Sequence, residues 1–525
     1  MKLSIKYIAI AGTISLIIAS CSEDFLDTNP TSAFTEATYA KTVDELETLL
    51  YTCYSVIGTY IPENRLAFFS LPLHMFIYGN VGSDDAEKGS EPNDDMYMQH
   101  ISMSMQTADN MWTLFYWHIN YYLIAKCNLV IDKSEEVEGD EEEIEEIVDQ
   151  AKYLRALGYY NLVTIYGGIP IFTHWLNPDE LNLERSTEDE VWALIEQDLF
   201  DASDLPFRSQ SENGRITHGA VHALLGKVYM WQERWEEAVQ AYSAVIESGE
   251  YELVDDYGYI HRHEGEHCKE SILEFQQAID VEGGPNMVTY LGNFRLPREP
   301  VGGGELVAWG FDNPTQDLVE EFEQGDPRLL YTVSFAGDTF PTPLGDMVLE
   351  NSPTTTSTGY TTRKAWIPWD EKPQDDWRPE MNWRYCRYAE VLLFCAEALN
   401  ETRQPALARE YVNAVRKRAR HTPKVDPQRV YTVWDSTYVG ELLPDVTTGD
   451  QDELRLAIWH EQRVELAQEG HRRWILLRTG RFKEAMERAK GAKGCTVEDH
   501  EWLFPLPAEE VNRSFGRIQQ NPGYN

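Results

Sequence analysis

Apolar residues recur three and four positions apart through much of the chain, the spacing that places them on one face of an α-helix. The runs TVDELETLLYTCYSVI (42–57), MWTLFYWHINYYLIAKCNLVIDKS (111–134) and EEEIEEIVDQAKYLRALGYYNLVTIY (141–166) each predict a helix of this kind. The third stops at Gly167 and Gly168 with Pro170 just beyond, a helix-end signal. Two later stretches repeat each other. In HALLGKVYMWQERWEEAVQAYSAVIESG, Gly226, Tyr229, Ala238 and Tyr242 stand at the spacing of a tetratricopeptide helix pair. In LLFCAEALNETRQPALAREYVNAVRKRA, Ala396, Leu399, Ala408 and Val412 repeat the same offsets. Small residues at these positions let two helices approach, and aromatics fill the groove between them. A looser pair joins AKYLRALGYYNLV to TEDEVWALIEQDLFDASDLP across the insertion YGGIPIFTHWLNPDELNLERS. The expected fold class is mainly α, a tetratricopeptide-like helical-repeat scaffold. Trp112, Trp117, Trp192, Trp231 and Trp235 lie on periodic helices and are assigned to its core.

Two segments break the pattern. Residues 58–110 and 252–382 are rich in Gly, Pro, Asn, Asp and aromatics and carry few long periodic runs. They predict ordered irregular structure laid over the helices, where binding residues concentrate. Within the second, SPTTTSTGYTT (352–362) reads as a solvated loop.

The N-terminus adds a compartment. Lys2 and Lys6 precede an apolar stretch from Ile8 to Ile18, and Ala19 and Ser20 stand directly before Cys21. Residues 1–20 read as a secretory signal peptide whose cleavage leaves Cys21 as the lipid-bearing end. An ordinary secretion signal with an incidental cysteine is the competing reading. Residues 21–40 then form a tether, kept polar by Glu23, Asp24 and Asp27, and 41–525 one domain. No later stretch approaches the ~20 apolar residues of a spanning helix.

Charge and chemistry narrow the function by exclusion. Acidic residues number 88 against 45 basic, a net charge of −43, which repels phosphate backbones and makes nucleic acid a poor partner. Cys53, Cys127, Cys268, Cys386, Cys395 and Cys495 are widely spaced, without a Cys-x-x-Cys, and read as buried small apolar residues. Asp84 and Asp85 could be imagined as a hydrolytic carboxylate pair, but adjacent residues diverge too much to flank one glycosidic bond. His261, His263 and His267 alternate as metal ligands on an extended strand would, yet Glu264 and Glu266 favour a solvated loop. VGGGE (301–305) lacks the following Lys of a phosphate loop and reads as a turn. The C-terminal FPLPAEE and NPGYN read as a docked chain end. No catalytic residues, metal or cofactor are expected; a structural calcium in a loop is allowed but not predicted.

Seven motifs in order carry a resemblance: CSEDFLDTNPTS, AKYLRALGYYNLVTIYGGIPIF, ITHGAVHALLGKVYMWQERWEEAVQAY, GDPRL, RYAEVLLFCAEALNE, EQRVELAQEGHRRWILLRTGRF and LFPLPAEEVNRSFGRIQQNPGYN. Together they resemble the SusD/RagB family of outer-membrane nutrient-binding lipoproteins, from Cys21 to Asn525. VGSDDAEKGSE (81–91) resembles a further element found in part of the family. Ile475 departs from the family, which often has an acidic residue there. The resemblance implies about four helix pairs and a lipid-anchored protein on the cell exterior. It also implies capture of oligosaccharide as the lid of a TonB-dependent, SusC-like transporter, without catalysis. Peptide capture, or a helical scaffold with no small ligand, would fit the same helices.

A sugar ring needs a flat apolar surface, and its hydroxyls need carboxylates, amides or guanidinium groups. The loop segments supply both kinds. The candidates are Tyr78, Asn80, Asp84, Asp85 and Tyr97 in the first segment. In the second they are Tyr290, Asn293, Phe294, Arg295, Trp309, Tyr360, Trp366, Trp369 and Trp377.

Overall fold

The computed structural model describes residues 40–58, 70–177, 179–277, 291–297, 309–340, 347–350, 356–366, 381–424, 440 and 442–524. The leader, Cys21, most of the tether, Tyr290, Trp369, Trp377 and the 301–305 turn lie outside them.

The periodic stretches form eight helices in four packed pairs. Helices α1 (Val43–Gly58) and α2 (Met111–Ser134) make the first, and α3 (Glu141–Tyr166) and α4 (Glu188–Asp201) the second. The third is α5 (His218–Trp231) with α6 (Trp235–Glu247), and the fourth α7 (Tyr388–Glu401) with α8 (Pro405–His421). Successive pairs also touch, α2 on α3, α4 on α5 and α6 on α7, so the scaffold is continuous. Caps fit the sequence: Asp140 accepts from the backbone of Glu142 and Glu143, and Thr187 forms a capping box with Glu190.

The repeat offsets show their physical cause at Gly226. A Cβ there would stand 2.3 Å from the Tyr242 ring, so α5 can approach α6 only through glycine. Ala238, Ala396, Leu399, Ala408 and Val412 are buried at the matching seams. Trp112, Trp117 and Trp192 are buried as expected, and Trp231 and Trp235 pack partly exposed against the same core. Ile475, the departure from the family pattern, sits in this apolar core. The chain end docks: Asn521 donates to Tyr166 O at 3.0 Å and Phe504 O at 2.7 Å, and Arg185 from the 167–187 insertion reaches Asn521.

The irregular segments are pinned by short antiparallel ladders. Strand β1 (Ala86–Gly89) pairs with β3 (Phe311–Pro314), bringing the two loop-rich segments together. Strand β2 (Ser271–Phe275) pairs with β6 (Trp383–Arg387), and β4 (Val333–Phe335) with β5 (Tyr360–Thr362). After α8 the chain closes with α9 (Gln451–Leu466), α10 (Arg472–Arg478) and α11 (Phe482–Lys490).

Helix α9 and the turn after it join the loop layer to the scaffold through buried charge. Arg387, at the end of β6, reaches Glu465 at 2.6 Å, Glu270 at 2.8 Å and Glu469 at 2.7 Å. Arg418 of α8 bridges Glu270 at 2.8 Å and also meets Glu465. Arg328, from the GDPRL motif, meets Asp326 at 2.7 Å, Glu465 at 3.0 Å and Glu461. Burial alone would raise the Glu465 carboxyl, but Arg418, Arg387 and Arg328 outweigh it and hold it at about 2.

A second network holds Asp84 and Asp85, corrected here from ligand candidates to framework. Asp84 is fully buried and accepts from Arg472 at 2.8 and 2.9 Å, with Arg463 at 3.1 Å and Arg488 at 3.0 Å. Asp85 pairs with Arg463 at 3.0 Å. Burial works against ionising both; Arg463 and Arg472 hold Asp84 far below the usual carboxylate range, while burial pushes Asp85 up.

The cysteines within the described residues are all free thiols and, apart from half-buried Cys268, buried. The histidines are not in a solvated loop: His261, His263 and His267 are partly buried, and His267 bonds Gln276 and Asn382. No cluster of metal-binding groups occurs among the described residues, and none of the described helices is long and apolar enough to cross a membrane.

Truncating Glu465 to Ala leaves three buried guanidinium groups short of a counterion, and urea unfolding should show a loss of about 3–5 kcal/mol. Glu509→Ala, at an exposed pair with Arg513, serves as the control and should change stability by less than about 0.5 kcal/mol. A second test uses His460 on α9. Burial would lower its pKa, but Glu321 at 2.7 Å and Glu323 at 3.4 Å raise it to about 9. Its contribution is therefore complete below pH 6.5 and is lost as pH rises through about 9. Urea midpoints across that window should show the stability gap between wild type and His460→Gln narrowing by on the order of 2 kcal/mol.

Candidate functional site

The loop layer encloses a cavity of about 460 Å³, within the range of small-molecule sites. Two other cavities, of about 70 and 40 Å³, are too small for a sugar ring and its neighbours. Four parts of the chain build the larger one. Strand β1 and the turn after it bring Glu87, Lys88 and Ser90. The short helix Met96–Ser102 brings Gln99 and Ser102, and the loop before β5 brings Thr356 and Ser357. The end of α11 and the turn beyond it bring Lys490 and Lys493.

Each wall is fixed from below. Ser90 N donates to Gly310 O at 2.7 Å, extending the β1–β3 ladder. Asn313 on β3 accepts from Ser357 N at 2.9 Å, which brings the 356–360 loop over β1. Thr356 Oγ1 donates to Tyr360 O at 2.6 Å, closing that loop on itself. Lys490 donates to Val81 O at 2.8 Å and Ser102 O at 3.0 Å, tying α11 to the first segment. The paired Asp84 and Asp85 lie immediately before β1, so the arginine network anchors the strand that forms one wall.

The candidate residues divide by burial. Tyr78 is fully buried, edge-on to Tyr116 at 5.0 Å and to Phe504 at 5.1 Å. Asn80 is buried, donating to Asp312 at 3.1 Å and accepting from Gly470 N at 3.0 Å. The turn holding them packs tightly: a Cβ on Gly79 would meet Gly470 O at 2.0 Å. Phe294 stacks on Phe311 at 5.0 Å, and Arg295 donates to Asp312 at 2.7 Å and Gln468 O at 2.7 Å. Tyr78, Asn80 and Phe294, like Asp84 and Asp85, line none of the three cavities and are occupied by packing and pairing, whereas Arg295, though paired, lines the cavity of about 70 Å³. Asn293 belongs to the helical turn Leu291–Arg295, with its side chain outside the described set.

Four aromatics keep partial exposure: Tyr97, Trp309, Tyr360 and Trp366. Three have backbone links to the cavity. Tyr97 shares a helix with Gln99, Trp309 precedes the Gly310 that Ser90 bonds, and Tyr360 O holds Thr356. Tyr360 also donates its hydroxyl to Gln316 and stands edge-on to Phe335 at 5.5 Å. Trp366 lies beyond β5, its backbone bonded to Arg363. Sequence reading missed Gln99, Thr356, Ser357, Lys490 and Lys493. The lysines alone left a trace, basic residues at the end of a helix in an acidic chain.

This architecture can be set beside known proteins. A family model described as "SusD family" matches residues 269–524, and one described as "Starch-binding associating with outer membrane" matches 24–230. SusD-like protein P25 of Formosa agariphila is 23% identical, over 94% of this chain and 95% of that protein. A solved structure titled as a laminarin binding SusD-like protein is 27% identical, with a TM-score of 0.72 over 92% of this chain and all of that one. Surface glycan-binding protein A from Bacteroides fluxus is 25% identical, with a TM-score of 0.73 over 91% of this chain and 99% of its own. The two models together span the helical scaffold apart from α6, and the segments that enclose the cavity, and the chain belongs to the SusD/RagB family.

Proposed function

We propose that this protein binds oligosaccharide at the cell surface and delivers it to a TonB-dependent, SusC-like outer-membrane transporter, held to the membrane by lipid on Cys21. The observation that carries the binding half is the cavity of about 460 Å³ walled by hydroxyl, amide and ammonium groups, with the backbones of Tyr97, Trp309 and Tyr360 joined to its walls. Hydroxyls of a saccharide would exchange hydrogen bonds with Gln99, Thr356 and Ser357, while an aromatic face would cover the C–H side of a ring. Support comes from relatives whose titles name laminarin and surface glycan binding. Asp84 and Asp85 supply no hydrolytic pair, since arginines occupy both carboxylates. A few dispersed contacts give modest affinity, as cargo release requires.

Calorimetry of the soluble chain from Ser22 onward, against a panel of oligosaccharides and peptides, tests the ligand class. Heat with a glycan is expected; heat with peptides alone would replace this reading by peptide capture. Trp309→Ala should weaken the glycan roughly 5- to 30-fold, about 1–2 kcal/mol; because Trp309 also packs against the core, its melting temperature should fall and binding is compared well below it. Anchoring is tested in cells. Wild type should fractionate with the outer membrane beside a large β-barrel protein and be cleaved when intact cells are treated with protease, whereas Cys21→Ala should leave the membrane fraction. Protection of the wild type from protease would place it on the inner side of that membrane.

A further inference from the structure

The cavity differs in sign from the molecule around it. The chain carries a net charge of −43, so an average surface site repels anions. Among the residues lining the cavity are three lysines, Lys88, Lys490 and Lys493, and a single carboxylate, Glu87. The lysines come from two regions about four hundred positions apart, so their convergence belongs to the fold and not to a basic run in the sequence.

Their surroundings sharpen the contrast. Lys227, Lys364 and Arg463, buried elsewhere, each meet a carboxylate, at 2.8, 2.6 and 2.7 Å. Lys490 is as deeply buried, yet the acceptors holding its ammonium are the carbonyls of Val81 and Ser102. Lys88 donates to the Glu91 and Asp94 carbonyls, at 2.7 and 2.5 Å, and stands 5.7 Å from the centre of the Phe311 ring. Carbonyl dipoles fix the Lys490 ammonium in place without neutralising it, so its charge acts on the adjoining space through a low-dielectric wall. Burial pushes the Lys490 ammonium down to about 8, the direction expected where the nearby carboxylates only partly offset lost hydration. Lys493 stands half exposed at the mouth, bonded to Glu87 at 2.7 and 2.8 Å. The Glu87 side chain is only 16% exposed and holds Lys493 with both oxygens, so a ligand anion meets this cation from its solvent side and shares it with Glu87. Asp94 stands behind the wall, its carboxylate accepting from Ser90 at 2.8 Å.

Resting on the reading of this cavity as a glycan site, we propose that the glycan it selects is acidic, a saccharide bearing carboxylate or sulfate groups. Its anion lies toward Lys493 and over the field of Lys490, while Gln99, Thr356 and Ser357 bond its hydroxyls.

The test is calorimetry on the soluble chain with three probes: a uronate oligosaccharide, a sulfated galactan oligosaccharide and a neutral β-glucan oligosaccharide. At low salt at least one acidic probe should bind about tenfold more tightly than the neutral one, with the difference shrinking in about 0.5 M salt as screening lengths fall to a few ångströms. Which acidic probe prevails identifies the anion. Lys493→Ala should cut the acidic-to-neutral ratio roughly 3- to 10-fold and flatten the salt dependence. Lys490→Met should act in the same direction, its fold checked by melting temperature; Lys493→Ala carries the test if that variant is unstable. Tight, salt-independent binding of the neutral probe, or an unchanged ratio in Lys493→Ala, would overturn the proposal while leaving the glycan reading intact. Failure of all three probes while peptides bind would overturn the glycan reading itself, and the proposal with it.

Discussion

Everything on the loop side of this protein depends on charge buried under helix α9. Glu461, Glu465 and Glu469 stand one turn apart along α9 and the turn after it, so one edge of this segment offers three carboxylates to whatever packs there. What packs there is arginine from three other places: Arg328 beside β4, Arg387 at the end of β6 and Arg418 on α8. Ions taken out of water cost several kcal/mol each, and the arrangement is tolerable only when every partner is present. A loop carrying Arg328 thus has one low-energy position, with its guanidinium between Asp326, Glu461 and Glu465. Irregular backbone, with few ladder hydrogen bonds of its own, gains definition in this way.

The same device sets the base of the cavity. Asp84 receives three arginines, two of them from the EQRVELAQEGHRRW stretch, and β1 begins two residues later. Lys88 and Ser90, on and just after that strand, therefore project from a fixed floor. Gly79 and Gly470 let the two backbones meet at that floor, where Asn80 bonds Gly470 N. A wall held this way presents its groups in fixed positions, which lowers the ordering cost of binding.

The division between what sequence reveals and what it hides follows from distance along the chain. The helix pairs were legible because Gly226 and Tyr242 lie sixteen residues apart, within one repeat, and both obey a known spacing. The docked C-terminus was legible for a similar reason, as a short motif with turn residues. Loop residues were not. Asp84 and its partner Arg472 are separated by 388 positions, and Asn80 and Asp312 by 232. No periodicity links such pairs, so Tyr78, Asp84, Asp85 and Arg295 looked like residues waiting for a ligand when they were waiting for one another. The cavity-lining Thr356 and Ser357 drew no notice because a Ser/Thr-rich run reads as solvated loop; the bond from Ser357 to Asn313 gives it a second meaning.

These observations bear on how an acidic protein distributes its few cations. Among the described residues, the buried Arg155, Arg295, Arg328, Arg387, Arg416, Arg418, Arg463 and Arg472 all contact carboxylates. Arginine suits that work because its planar, weakly hydrated fork accepts several carboxylate contacts at once. At the cavity the cations are lysines, and the buried Lys490 ammonium is held by carbonyls that do not consume its charge. The fold thus uses arginine to join its parts and lysine to give one hollow a sign opposite to the rest of its surface.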